Sequence, residues 1–153
     1  MKILLVGGSG FLGAWVARLL NINQCLARIF DPNKPDSEWH RLSGIRADAT
    51  EWVAGDVSKK SELDDAIRDC EGVINLAGLL TPQCSQNPVR GAEVNLIGAI
   101  NVFEVALKHG LKKVAYTSSI GVYGPDHAEF PEPTTHYGSF KLASEGVARS
   151  FYE

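Results

Sequence analysis

Tyr137 and Lys141 stand four residues apart, a spacing that brings both side chains to one face of a helix. A free phenol ionises near pH ~10, too high for a base at neutral pH, and a cation within about 4–6 Å favours the phenolate. The pair could therefore exchange a proton with a substrate hydroxyl. Spacing alone is a weak signal, because a boundary aromatic beside a solvated lysine needs no function. Three other features change the balance. Gly7, Gly10 and Gly13 set G-x-x-G-x-x-G around Phe11 and Leu12, where small residues let a backbone turn approach a pyrophosphate and a helix N-terminus favours the anion. Asp31 follows Gly13 by eighteen residues, the place for a carboxylate that accepts the hydroxyls of an adenosine ribose. Tyr116-Thr117-Ser118-Ser119 supplies hydroxyls, of which Ser119 can orient a substrate oxygen.

These residues must be positioned by elements that alternate. Ile3 to Val6, Leu26 to Phe30, Glu51 to Ala54, Val73 to Leu76 and Val114 to Thr117 read as strands, the first, fourth and fifth buried on both faces,. Phe11 to Leu20, Ser61 to Arg68, Val89 to His109 and Tyr137 to Phe151 read as helices, and Pro125 to Thr135 as a polar loop,. Such alternation predicts a three-layer, doubly wound parallel sheet, with cofactor and substrate at the carboxyl edge. Asp56 and Val57 follow the third strand and Leu76, Ala77 and Gly78 end the fourth. Asp56 is placed to meet an adenine amine, and the small residues leave room for a cofactor. The helix from Val89 carries two apolar stripes: Val94, Ile97, Val102 and Val105 on one side, Leu96, Ile100, Phe103 and Leu107 on the other,. One stripe covers the sheet. The second predicts a homodimer through the 89–109 and 137–151 helices, the competing reading being cover from the last helix or a loop of the same chain.

Composition excludes other classes. At 153 residues the chain suits one domain,. Its net charge of −3, with no basic stripe, gives no footprint for nucleic acid or an anionic membrane,. Gly7 and Gly8 end the first apolar run too early for a signal peptide or a membrane span,. Cys25, Cys70 and Cys84 are an odd, widely spaced set that fits a reducing cytoplasm,. The four histidines form no ligand spacing, so no metal is expected,. There is no Gly-Lys-Ser/Thr after the turn and no G-x-S-x-G elbow, which disfavours a triphosphatase and a serine hydrolase,.

Taken in order, the glycine turn, Asp31, Gly55-Asp56-Val57, Asn75-Leu76-Ala77-Gly78, Val94-Asn95 with Gly98, Ser118-Ser119, Val122-Tyr123-Gly124 and Tyr137-x-x-x-Lys141 resemble the extended short-chain dehydrogenases/reductases of the NAD-dependent epimerase/dehydratase family. The resemblance implies an NAD(P)-binding Rossmann domain over 1–153, with Ser119, Tyr137 and Lys141 as the catalytic group. Lys141 would also hold the nicotinamide ribose, and Asn95 would support the nicotinamide end. The carboxylate of Asp31 favours NAD over NADP, with Lys34 the nearby cation downstream. The implied reaction is hydride transfer on a small molecule, a sugar or sugar nucleotide. The alternatives are an alcohol or uronate-type dehydrogenase of the same superfamily and a non-catalytic NAD-binding module. Leu79-Leu80 stands where a sugar epimerase often carries a polar or cationic residue. Family members also continue past the Tyr/Lys helix into a substrate-capping region, so the chain is expected to be the cofactor half.

Overall fold

Strand β1 (Lys2–Val6) shows why the sheet is central: Leu4 and Val6 enter one apolar core, Ile3 and Leu5 the other. A strand whose alternate residues are all apolar has no solvent face, and it must lie between two layers. The computed structural model describes residues 1–125 and 127–152, with the side chains of 127 and 128 left aside. After β1 come α1 (Phe11–Ile22), β2 (Leu26–Phe30), α2 (Ser37–Ser43), β3 (Glu51–Val53), α3 (Lys60–Ala66) and β4 (Gly72–Asn75). Next are α4 (Thr81–Gln86), α5 (Pro88–Ala92), a π turn over Glu93–Ile97, α6 (Gly98–Lys108), β5 (Val114–Tyr116), the short strands β6 (Tyr123–Gly124) and β7 (His127–Pro131), and α7 (His136–Tyr152).

The five main strands form a parallel sheet in the order β3-β2-β1-β4-β5, with Leu5 opposite Ile29 on one side and Ile74 on the other. The chain leaves β1 toward β2 and leaves β4 toward β5, so the order reverses between β1 and β4. In open parallel sheets the ligand crevice lies at such a point, beyond the strands' carboxyl ends. Ala14 and Ala17 of α1 and Trp39 of α2 cover one face of the sheet. Leu63 and Ala66 of α3, Val94 and the α6 residues Val102, Val105 and Ala106 cover the other. Arg28, buried in the middle of β2, donates to Glu51 Oε1 at 2.7 Å and to the Ala66 carbonyl at 2.7 Å, joining β3 and α3 through one guanidinium.

The expected doubly wound sheet is present, with local departures. β5 is the sheet's edge, and Val114 and Ala115 are exposed, so it is not buried on both faces. A run of apolar residues shows strand propensity but not how many neighbours the strand finds. The stretch from Pro125 to Thr135 is not all loop, because β7 pairs antiparallel with β6; Asp126 lies outside the described residues. The helix expected from Val89 is broken by the π turn, which inserts an extra residue and shifts the phase of the helix beyond it. Ile97, assigned to the sheet stripe, is therefore 45% exposed. On the other stripe Phe103 is only 6% exposed and packs edge-on to Tyr116 and against Phe151 of α7. That part of the outer stripe is covered by the chain's own last helix.

Helix α4 (Thr81–Gln86) is not expected from sequence, and neither is α2, which positions the site. Asp36 caps it by accepting from Trp39 N at 2.7 Å, and Gly44 ends it in the left-handed region at φ 68°. Its buried Trp39 donates through Nε1 to the Gly8 carbonyl at 2.8 Å, so the segment after β2 is tied to the glycine turn. Replacing Trp39 by Phe is expected to cost about 1–3 kcal/mol in urea unfolding, by leaving a buried carbonyl without its donor. Trp15→Phe on the outside of α1 should stay within about 0.5 kcal/mol. Equal effects would show that the bond to Gly8 contributes nothing.

Candidate active site

The turn after β1 is shaped by close approaches. Gly7 adopts φ +73°, and a Cβ there would lie 2.6 Å from Ala77 backbone atoms. A Cβ on Gly13 would lie 2.0 Å from the Gly8 carbonyl oxygen, so only glycine lets α1 start this close to the turn. Gly10 is different: a Cβ there meets nothing within 4 Å, and it caps α1 with no side-chain hydrogen bond. The first amides of α1, at Phe11, Leu12 and Gly13, are thus offered to an external acceptor. Phe11 and Leu12 are themselves exposed and line the opening. A cavity of about 560 Å³ runs from this turn past Asp31, Asp56, Val57, Leu76, Ala77 and Gly78, a size typical of ligand sites.

Asp31 is held on both oxygens by the backbone. Oδ2 accepts from Ser9 N at 3.2 Å and Oδ1 from Asn33 N at 2.9 Å, while Ser9 Oγ donates to the Asn33 carbonyl at 2.6 Å. The carboxylate is fixed at the end of β2, facing the cavity, and its remaining lone pairs can accept from a diol. Asp56 is more occupied. Oδ1 accepts from Ser58 N at 2.9 Å and Ser58 Oγ at 2.8 Å, and Oδ2 pairs with the Arg90 guanidinium. Burial alone would raise this carboxyl; the bonds from Ser58 and Arg90 outweigh it and hold the group below the usual range. Val57 is packed under Gly98, where a Cβ would come within 2.7 Å of it.

At the opposite end, α7 brings Tyr137 and Lys141 to the ends of β4 and β5. Lys141 is 5% exposed, donates to the Thr117 carbonyl at 2.9 Å and lies 5.8 Å from the Tyr137 ring centroid. Burial lowers its pKa. A Cβ built on Gly78 would lie 3.7 Å from Lys141 Nζ and 2.9 Å from Asn95 Oδ1. Asn95, in the π turn, is 2% exposed; its Nδ2 donates to the Leu79 and Gly91 carbonyls, each at 3.0 Å. These bonds fix the amide's orientation and leave Oδ1 without a partner among the described residues. A buried acceptor of this kind calls for a donor from a bound group or water. On the far side, a Cβ on Gly121 would lie 3.4 Å from Ser119 Oγ and 3.7 Å from Tyr137 Cδ1. Ser119 and Tyr137 thus border one small space, whereas Ser118 Oγ is engaged by Glu145.

All the residues singled out from sequence lie along the carboxyl edge, in two groups. The glycine turn, Asp31, Asp56, Val57, Leu76 and Ala77 surround the cavity; Gly78, Asn95, Ser119, Tyr137 and Lys141 gather beside it. The residues that fix them are not evident from sequence: Ser9 and Asn33 for Asp31, Thr117 for Lys141, and Arg90 for Asp56. Ser9 occupies a variable slot of the glycine pattern, and no sequence rule links Arg90 to a carboxylate thirty-four positions away.

The residues fit a dinucleotide: amides for its phosphates, a carboxylate for its ribose, and an orphaned acceptor beside a buried ammonium. The fold and crevice define a Rossmann-type domain. The profile of the NAD dependent epimerase/dehydratase family matches residues 3–153, and the chain belongs to that family. It is 34% identical, over 97% of its length and 47% of the relative's, to the bifunctional UDP-glucose 4-epimerase and UDP-xylose 4-epimerase 1 of Pisum sativum. It is 33% identical to human 3 beta-hydroxysteroid dehydrogenase type 7, over 84% of the chain and 35% of that protein. The UDP-glucose 4-epimerase of Thermus thermophilus in complex with NAD superposes with a TM-score of 0.84 at 23% identity, covering 99% of this chain and 50% of that one. The chain spans about half the length of the curated relatives it matches. Among the described residues, no helix is long and apolar enough to cross a membrane.

Because burial lowers Lys141, the unfolded chain binds its proton more tightly than the folded chain. Stability should rise with pH between the lowered value and the ordinary 10.5,. Lys141→Met removes this slope, and its melting temperature at neutral pH is expected to equal or exceed the parent's, with the gap closing as pH approaches 10.5. A lysine present for packing alone would instead leave K141M less stable.

Proposed function

We propose that this chain binds NAD along the carboxyl edge and carries the proton-transfer group of an epimerase/dehydratase-type oxidoreductase acting on a sugar or sugar nucleotide. The observation that carries the reading is the buried Lys141, held by Thr117 and facing Tyr137, Gly78 and the unpartnered oxygen of Asn95. An ammonium kept from water is costly unless it serves something.

When bound, NAD supplies hydride acceptance and return. The protein's own part is placement and proton transfer. The amides of Phe11, Leu12 and Gly13 hold the phosphates, and Asp31 accepts from the adenosine ribose. Its negative charge disfavours a 2′-phosphate and hence NADP, although Lys34 also lines the cavity,. Lys141 donates to the nicotinamide ribose and Asn95 Oδ1 accepts at the nicotinamide end. Ser119 Oγ holds the substrate oxygen, and Tyr137 takes the hydroxyl proton and later returns it. Three free thiols fit a cytoplasmic location,. Ile97 and Leu107 remain exposed on the 89–109 segment, and a homodimer through this segment and α7 would cover them.

One observation favours a second reading, a dehydrogenase of the same superfamily: Leu79 and the exposed Leu80 line the cavity where a polar group would suit a sugar nucleotide. Sequence similarity to a steroid dehydrogenase runs the same way. Incubation with NAD and a panel of UDP-sugars and secondary alcohols separates the two. Isomerised product without net NADH supports the first reading, and NADH accumulation with an alcohol the second. NAD binding without turnover would mark a non-catalytic module. In either enzyme, Tyr137→Phe is expected to lower turnover about 10²–10⁴-fold while leaving the Kd for NAD within a few-fold. Calorimetry should give tighter binding of NAD than NADP, with the ratio falling in Asp31→Ser; tighter NADP binding to the parent would overturn the role given to Asp31.

A further inference from the structure

Arg90 has no part in the reading so far, yet it lines the cavity at the end where Asp56 and Val57 stand. Its guanidinium is unusually committed. Nη2 pairs with Asp56 Oδ2, and Nη1 donates to Ser58 Oγ at 3.0 Å and to Glu93 Oε2 at 3.1 Å. Asp56 is fixed in turn by Ser58, so the guanidinium is pinned from three sides at its edge. A planar group held at its edge by such bonds keeps its faces for a ligand.

Two contacts with a dinucleotide can be weighed. A phosphate would need in-plane N–H donors and a net positive charge. Asp56 and Glu93 bracket the cation with two carboxylates, so the cluster as a whole carries net negative charge and does not attract an anion. A purine needs a flat, polarisable surface and apolar neighbours. The Arg90 face supplies the first, and Val57, Val94 and Leu76 around the same part of the cavity supply the second.

Resting on the proposal that the chain binds NAD, we infer that Arg90 is an adenine-binding residue whose guanidinium, held flat by Asp56, Ser58 and Glu93, stacks on the purine ring. The pair with Asp56 then has a positioning role: it sets the plane against which the base lies. Contact through the face of a cation is worth more where water is excluded, and the half-buried setting of Arg90 meets that condition in part.

The test measures Kd by calorimetry for NAD, and by competition for adenosine, which has no phosphate, and for nicotinamide mononucleotide, which has no adenine. In Arg90→Ala the Kd values for NAD and adenosine are expected to rise together, roughly 5- to 30-fold, with nicotinamide mononucleotide unchanged. Arg90→Lys keeps the charge without the plane and should recover only a small part of the loss. Unchanged adenosine binding in R90A, full recovery in R90K, or an equal loss for nicotinamide mononucleotide would each overturn the stacking role. Should R90A prove unstable, R90K alone decides between charge and plane. If the parent chain binds neither NAD nor adenosine, the cofactor reading itself fails and this one with it; if the parent binds and R90A binds equally, only the role of Arg90 falls.

Discussion

Keeping an ammonium group out of water demands that hydrogen bonds replace its hydration, and the carboxyl edge of this sheet is arranged around that demand at Lys141. The Thr117 carbonyl supplies a strong acceptor and the face of Tyr137 adds a weaker attraction,. Thr117 can serve only because β5 ends beside β4, with Thr117 N donating to the Asn75 carbonyl at 3.1 Å. Asn75 in turn fixes the Ala77 amide through its side chain at 3.1 Å. The start of the glycine turn meets that backbone across Gly7. A chain of short contacts thus links Tyr137 and Lys141 to the glycine turn.

The other end of the cavity is built on a different principle. Asp31 and Asp56 are both carboxylates at strand ends, but one is satisfied by backbone amides and the other by a cation and a hydroxyl. Backbone amides hold Asp31 toward the cavity without a cation, whereas Arg90 pairs its charge with Asp56. The cavity therefore presents a carboxylate without a cationic partner at Asp31 and a charge-paired surface at Asp56. Family membership gives the fold; the difference between these two carboxylates belongs to this chain's own residues.

Much of the fold was legible because strand cores and turns write themselves in residue type. Ile3 to Val6 alternate between two cores, and the glycines at 7 and 13 occupy positions where no side chain fits. What was not legible depends on neighbours rather than on type. The exposed face of β5 follows from its place at the edge of the sheet, and the burial of Phe103 from the approach of Phe151, far along the chain. Helix α2 was written in the sequence, with an aspartate cap and a closing glycine, but its short length and lack of an apolar stripe concealed it. Its tryptophan joins the core and also bonds a backbone carbonyl, and no periodicity reveals that bond.

The π turn at Glu93–Ile97 amounts to one residue more than a regular helix would hold,. Deleting a residue there would let the backbone close into an uninterrupted α-helix with better-aligned hydrogen bonds. The same deletion would rotate one half of the helix against the other by about 100°. Either Val102 and Val105 would leave the sheet or Asn95 would swing away from Gly78. The extra residue thus costs the helix some regularity and sets the alignment of its two halves, so the length of this turn matters as much as the side chains it carries,.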